Sequence, residues 1–308
     1  MKKVIEVNNL TKKYGLLAAV DNISFSVNEG EIFGLLGENG AGKTTTLEII
    51  EGLRRPTAGK VTVLGHDVEK NMQEIKENIG VQLQSSAYYH YLTLKEILIL
   101  FGSFYDMKID AEKLLSMVGL EEKKNSFVGS LSGGQRQRFS IIASLVNDPK
   151  IVFLDEPTTG LDPLARRHLW DIIINIKQQG KTIILTTHYM EEAEVLCDRI
   201  AIMEKGKIVA LDETHKLVEQ AKNPYKINFV DTTIKDSDVA AIKKLGELDQ
   251  VAGKSYNFEF RAKKQEYINK ALSLINKNKP ESLVVGRASL EDVFIELTGK
   301  TVLEDKNA

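Results

Sequence analysis

Among its 308 residues the chain has one cysteine, six prolines, one tryptophan and almost no net charge: 41 Lys and Arg stand against 43 Asp and Glu, for a formal charge of −2. A lone cysteine, Cys197, excludes an internal disulfide framework and a multi-cysteine metal site. It sits in a helix-like run, Glu191 to Asp198, where a small buried hydrophobe is the expected role. The scarcity of proline and the 43% hydrophobic content exclude collagenous and disordered classes. A balanced charge removes any global pull toward nucleic acid or anionic lipid. No run of 18 apolar residues occurs, and Met1 to Asn9 has no uninterrupted apolar stretch. A cytosolic chain is expected unless something carries it. Its length predicts two domains, or one large core with an appendage.

What is present is strand punctuation followed by α/β alternation. Val4, Ile5 and Val7, then Val20, Ile23, Phe25 and Val27, predict an antiparallel β layer, with Gly15 and Asn28-Glu29-Gly30 as turns. Glu31 to Leu36 reads as a buried strand running into Gly37 and then a helix from about Lys43 to Leu53. Ile151 to Leu154 and Thr182 to Leu185 are further apolar strands, each followed by polar loop residues and a helix. That alternation predicts a parallel sheet with ligands at the carboxyl ends of its strands. Between Gln84 and Asn147 the spacing turns helical, as in Leu94, Ile97, Leu98 and Phe101, which predicts an inserted helical subdomain. Behind Asn223-Pro224 the pattern restarts: strands at Tyr225–Val230, Tyr256–Arg261 and Leu283–Val285, helices at Asp238–Leu248, Lys264–Asn276 and Leu290–Leu297. A small α+β domain over 223–308 fits, after a first domain over 1–222. From Lys226 onward the tail holds 14 Lys and Arg against 13 Asp and Glu, so it is no basic arm for nucleic acid.

Gly37-Glu38-Asn39-Gly40-Ala41-Gly42-Lys43-Thr44 matches G-x-x-x-x-G-K-[ST] between a strand and a helix, the context such a phosphate loop requires. Glycines let the backbone form a nest of N–H donors, and the following helix adds the positive end of its dipole. Lys43 supplies a point charge between β- and γ-phosphates, and the Thr44 hydroxyl one position on Mg²⁺. Ile151 to Glu156 is an apolar strand ending in two carboxylates. Alone this is a common solvated loop start. Beside a phosphate loop, Asp155 becomes a Mg²⁺ holder and Glu156 a general base for an attacking water. His188, after a third strand, can orient that water and meet the γ-phosphate.

Together with Leu131-Ser132-Gly133-Gly134-Gln135, these residues resemble the ATP-binding subunits of ABC transporters. The resemblance covers about Val4 to Leu217, with its parts in the family's order. It implies a P-loop NTPase core with an antiparallel β layer and an inserted helical signature subdomain, and ATP and Mg²⁺ as cofactors. It further implies adenine stacking on Tyr14, phosphate binding by residues 37–44 with Thr45, and Gln84 as the Q-loop glutamine and a metal-site residue. Gly160-Leu161-Asp162 corresponds to the D-loop and His188 to the switch histidine. Gln82, two residues before Gln84 and on the same face of a strand, is the rival for the Q-loop position, and Leu83 stands where proline is frequent. Ser132, Gly133 and Gly134 form a small-residue turn opening a helix at about Gln135, a second anion-binding helix N-terminus. The sequence has one phosphate loop, so that second N-terminus is most simply used in trans, by a head-to-tail homodimer or a heterodimer with a related subunit.

Thr187 to Ala193 and Ser289 to Phe294 look like the bacterial exporter subgroup encoded apart from its membrane subunit, which serves drug, antibiotic, lipid or polysaccharide export. The implied protein is a Mg²⁺-dependent ATPase, peripheral to the inner face of the membrane, driving a transmembrane permease. Tyr88, Tyr89 and Tyr91 suit either the permease interface or a local core. A soluble ABC ATPase acting on ribosomes is the alternative, although such chains usually carry two nucleotide domains. Chromosome and repair ATPases insert a long coiled coil, whereas Lys43 and Asp155 lie 112 positions apart without sustained heptads.

Overall fold

A computed structural model describes residues 2–82, 88–250 and 256–299. Gln84 lies outside the described residues. The chain divides between Glu213 and Thr214 into two compact units.

The first unit opens with two long strands, β1 (Lys3–Tyr14) and β2 (Leu17–Asn28), joined antiparallel through the Tyr14–Leu17 turn. Next come β3 (Ile32–Leu36), helix α1 (Lys43–Ile50), β4 (Ala58–Val63), β5 (His66–Asp67), α2 (Met72–Lys76) and β6 (Ile79–Gln82). The helical stretch holds α3 (Leu94–Ser103), α4 (Ala111–Ser116) and α5 (Gly133–Ala143). The chain then alternates through β7 (Ile151–Asp155), α6 (Pro163–Gln178), β8 (Thr182–Thr187), α7 (Met190–Leu196), β9 (Arg199–Glu204) and β10 (Lys207–Glu213).

Two sheets result. One is antiparallel, in the order β2-β1-β4-β5. The other runs β10-β9-β3-β8-β7-β6 and is parallel except at β10. The α/β class with its antiparallel layer is therefore as the sequence patterns predict. The five residues of β3 and the five of β7 are all buried, the mark of strands covered on both faces. Ile5, Val20, Phe33, Leu47, Phe153 and Ile184 share one core that joins both sheets to α1, and Phe25 stacks on Phe33 at 5.2 Å. Cys197 is buried, with its Sγ so close to Gly34 that a Cβ there would stand 2.7 Å from it. Register does the important positioning. Leu36 pairs with Thr187 and Asp155 with Thr186, so the residues leaving β3, β7 and β8 emerge side by side at one sheet edge.

The second unit carries α8 (Thr214–Glu219), β11 (Tyr225–Val230), α9 (Asp236–Lys243), β12 (Glu247–Gln250), β13 (Asn257–Ala262), α10 (Gln265–Lys277), β14 (Ser282–Arg287) and α11 (Leu290–Thr298). Its antiparallel sheet runs β12-β13-β11-β14, and Ile227, Phe229, Phe260, Ile268 and Ile275 form its own core. The helix expected to reach Leu248 ends at Lys243. Gly246 explains the break, because a Cβ there would meet the Arg261 carbonyl at 2.3 Å. Only glycine admits that close approach, and it lets Leu248 pair with Phe260 in a fourth strand.

Candidate functional site

The loop between β3 and α1 is built around its glycines. Gly42, the residue before α1, has φ 101°, and a Cβ would meet the Ala19 carbonyl at 2.4 Å. Any other side chain would be strained and would clash. Gly37 N–H donates to the Thr187 carbonyl at 3.3 Å, fastening the loop to the end of β8. Asn39, Gly40 and Thr44 are exposed, Glu38 and Thr45 half-buried, and Gly37, Ala41 and Lys43 buried.

Lys43 is 4% exposed, and its Nζ donates to the carbonyls of Gly37 at 2.8 Å and Glu38 at 3.1 Å. It also lies 3.4 Å from Glu156 Oε1. Burial lowers the ammonium pKa, opposed by the Glu156 charge. Glu156 follows β7 with φ 47°, a left-handed backbone that turns the chain sharply and aims its carboxylate back at the loop. His188 Nδ1 stands 3.3 Å from Glu156 Oε1, and the Thr159 hydroxyl donates to Oε2 at 3.1 Å. The facing imidazole is the main cause that holds the Glu156 carboxyl down at about 2. Burial opposes it, and the Lys43 charge and Thr159 hydroxyl add to it.

Asp155 adjoins this cluster. Its Oδ1 accepts from the Thr44 hydroxyl at 3.2 Å and from the Thr186 hydroxyl beneath it. Burial raises its pKa, and these hydroxyls oppose the rise. A hydroxyl and a carboxylate converging beside a phosphate loop are hard oxygen donors. Two protein ligands, with phosphate and water supplying the rest, fit Mg²⁺. The Thr44–Asp155 pair therefore fits that ion by its donor chemistry.

The signature lies elsewhere. Its helix opens at Gly133, two residues before the expected start, because Ser132 is the N-cap. Ser132 Oγ accepts from Gln135 N–H, and Gln135 Oε1 accepts from Ser132 N–H at 3.0 Å, a reciprocal capping box. Gly133 and Gly134 thus present the first turn of a preformed helix. Asp162 is the N-cap of α6, its side chain accepting from Leu164 N–H at 3.0 Å and Ala165 N–H at 2.9 Å. Ser132, Gly134, Gln135 and Asp162 line one cavity of about 260 Å³ together with Arg138 and His168. Those two basic side chains escaped the sequence reading, since they fall outside the signature and D-loop spans and declare themselves only when α5 and α6 meet.

Tyr14 stands on the antiparallel sheet, 42% exposed, with Lys12 Nζ 5.2 Å and Arg54 Cζ 5.5 Å from its ring centroid. Of the three tyrosines that follow β6, Tyr88 packs on Phe101 and Phe139, while Tyr89 and Tyr91 are exposed. Gln82 is buried at the end of β6. The structure thus gathers Lys43, Thr44, Asp155, Glu156 and His188 into one cluster, and Ser132 to Gln135 with Asp162 into a second.

A phosphate loop, a strand ending in two carboxylates, a histidine facing one of them and a second capped helix N-terminus have the chemistry of a nucleotide-hydrolysing cassette. Comparison with known proteins names its family. The ABC transporter family matches residues 20–159. The Nod factor export ATP-binding protein I of Burkholderia orbicola (strain AU 1054) is 37% identical over 304 residues, spanning 96% of this chain and 97% of that protein. The linearmycin resistance ATP-binding protein LnrL of Bacillus subtilis (strain 168) is 34% identical over 309 residues, spanning 97% and 99%. A solved ATP-binding subunit of an ABC transporter superposes with a TM-score of 0.64 at 30% identity over 70% of this chain and 92% of that one. A dimeric cassette in a post-hydrolysis state with ADP and phosphate superposes at 0.62, with 27% identity over 68% and 98%. The chain belongs to the ATP-binding subunits of ABC transporters and is an ATPase of that family.

Proposed function

We propose that this chain powers a separate transmembrane permease that exports a drug, antibiotic, lipid or similar compound, working at the cytoplasmic face of the membrane. Relatives named for Nod factor export and for linearmycin resistance match 96% and 97% of it, tail included, which supports the exporter reading. No helix among the described residues is long and apolar enough to cross a membrane. Exposed Tyr89, Tyr91 and Phe104 provide apolar surface of the kind a permease would cover.

The observation that carries the chemistry is the shared position of Lys43 and His188 around Glu156. Lys43 is the mobile partner. A polyphosphate on the loop competes for its ammonium with several negative oxygens against the single charge of Glu156, so Lys43 turns to the phosphates. Loss of that neighbouring charge raises the basicity of Glu156, which accepts the proton of the attacking water. His188, held at the same carboxylate, orients the water and meets the γ-phosphate through its other nitrogen. Mg²⁺, when bound, would be held by Thr44 and Asp155, with Gln84 as the resemblance implies, and would supply positive charge against the phosphates. Tyr14 stacks on adenine.

Two copies close head to tail, each presenting Ser132, Gly133, Gly134 and Gln135 to the nucleotide on the other's phosphate loop. Affinity purification of the full chain from solubilised membranes, with identification of any hydrophobic multi-helix protein that comes with it, tests the reading. A stable complex whose ATPase responds to detergent or lipid supports it. Purification with ribosomes, and ATPase stimulation by them, would replace it.

A further inference from the structure

Glu192 is a carboxylate for which the chemistry above finds no use. It lies on α7, four residues past His188, and is fully buried. Its Oε1 accepts the Thr158 hydroxyl at 2.8 Å and the Trp170 Nε1–H at 3.2 Å. Burial pushes its pKa up, opposed first by the Thr187 hydroxyl beside it, then by Thr158, Trp170 and the Arg166 charge. Thr158 is two residues past Glu156, and Thr187 immediately precedes His188. One buried carboxylate therefore sits against both segments that leave the sheet with the candidate reacting side chains. A second tie runs alongside: the Arg166 guanidinium on α6 lies 4.2 Å over the Tyr189 ring, which packs on the His188 imidazole at 4.1 Å between centroids. Burying a carboxylate is costly unless it makes bonds that matter, and an apolar side chain would fill the same space more cheaply.

We propose that Glu192 is a positioning residue: by bonding Thr158 while packed beside Thr187, it locks the Glu156 segment to the His188 segment. The base and the imidazole then keep their 3.3 Å separation as Lys43 comes and goes. Glu192 is fully buried and has no exposed surface to offer a nucleotide. It acts through the two backbone segments it joins, and the inference rests on Glu156 and His188 being the groups that face the γ-phosphate.

The test uses the full chain with Glu192→Met, which keeps the length of the side chain but removes the acceptor oxygen, with Thr158→Val and the double variant, alongside Glu156→Gln. Steady-state ATPase, ATP affinity and thermal unfolding are measured for each. A misplacement of about 1 Å costs up to about 10²-fold, so kcat should fall about 10- to 100-fold in each single variant while KM for ATP stays within ~2-fold. Because both changes break one link, the double variant should lose no more than the worse single. Thr158→Val is isosteric and keeps the question open if the Glu192 variant does not fold. Parental kcat in either folded variant, or losses that multiply in the double, would overturn the inference. A lowered Tm with unchanged kcat would also overturn it, by assigning Glu192 to stability alone. Parental turnover in Glu156→Gln would remove the underlying assignment and this inference with it. If that variant alone loses turnover, only the role of Glu192 falls.

Discussion

Lys43 and Glu156 form an ion pair in which both side chains are more than nine-tenths buried, with 3.4 Å between Nζ and Oε1. A buried pair of this kind contributes little net stability, yet removing one member leaves the other uncompensated. Here that sensitivity serves a cycle, because a nucleotide supplies a replacement partner for the lysine. Glu156→Gln should therefore bind ATP and keep its Mg²⁺ dependence, since the amide fills the same volume. Turnover should fall by about 10² to 10⁴, the usual cost of a lost general base. A dimer trapped with ATP, absent with ADP, should elute early in size-exclusion chromatography. Wild-type turnover in this variant would falsify the assignment.

The pairing of Glu156 with the His188 imidazole first, and with Lys43 after it, sets an acid limit. The folded pKa of Glu156, about 2, lies below its ordinary value of 4.5. The carboxylate thus contributes stability that is present above the unfolded value and lost as pH falls from about 5 toward about 2. Denaturant midpoints of the parent and of Glu156→Gln should converge over that window. Curves that stay parallel from about pH 6 to about pH 3 would show that the pairing has no such weight.

Glu51 carries the opposite sign. It is 3% exposed at the end of α1, and burial, with the charges of Asp155 and Glu48, pushes its carboxyl up to about 8. Its folded pKa exceeds the unfolded one, so the unfolded chain ionises first and stability drains away as pH rises from about 4.5 to about 8. Above that the loss is constant. Glu51→Gln should stabilise the protein progressively across the window, by on the order of 1 to 4 kcal/mol at its upper end. Unfolding curves at three pH values decide it: a stabilisation independent of pH means that packing, and not ionisation, is what the substitution changed.

These pairings mark where sequence legibility ends. The phosphate loop, the carboxylate strand and His188 were readable because each is fixed by local backbone chemistry at the end of a strand. The start of α5 is legible too: Ser132-x-x-Gln135 is a capping-box pattern, which sets the helix at Gly133 although the glycines point to a start at Gln135. Helical spacing runs on through Gly246 to Leu248, but the helix ends at Lys243, because the role of Gly246 depends on a strand 15 residues away, at Arg261. Glu51, Glu192, Arg138 and His168 could not be singled out at all. Their environments are made by elements that meet only in the folded chain, and a carboxylate in a helix reads as surface until its neighbours are known.

Tyr14→Ala tests the base-binding role. Stacking of a base on an aromatic ring is worth about 1 to 3 kcal/mol, so ATP affinity should fall about 5- to 150-fold. Lys12 and Arg54 beside the ring should then preserve some attraction for the nucleotide's charge. Affinity for inorganic triphosphate should be unchanged, since that ligand has no base. Equal loss for both ligands would place the tyrosine's contribution in the fold of the β1–β2 turn.

Use of the signature in trans admits the sharpest test. Ser132→Arg puts a long cation where a partner's phosphate must approach the first turn of α5, and it also removes an N-cap worth about 1 kcal/mol. Each monomer should still bind ATP through residues 37–44, which verifies that the lost cap has not unfolded it, while closure and hydrolysis fail. Lys43→Ala fails for the complementary reason. When the two variants are mixed, a heterodimer has one site damaged twice and one assembled from the intact Lys43 of one chain and the intact Ser132 of the other. ATPase activity above the sum of the separate variants is therefore expected, accompanied by ATP-dependent heterodimers followed by differential labelling. If both sites must fire together the activity stays low, but the heterodimer still forms with ATP. Full hydrolysis by Ser132→Arg alone, or a rate strictly proportional to enzyme at concentrations far below the dimerisation constant, would mean that one chain completes its own site.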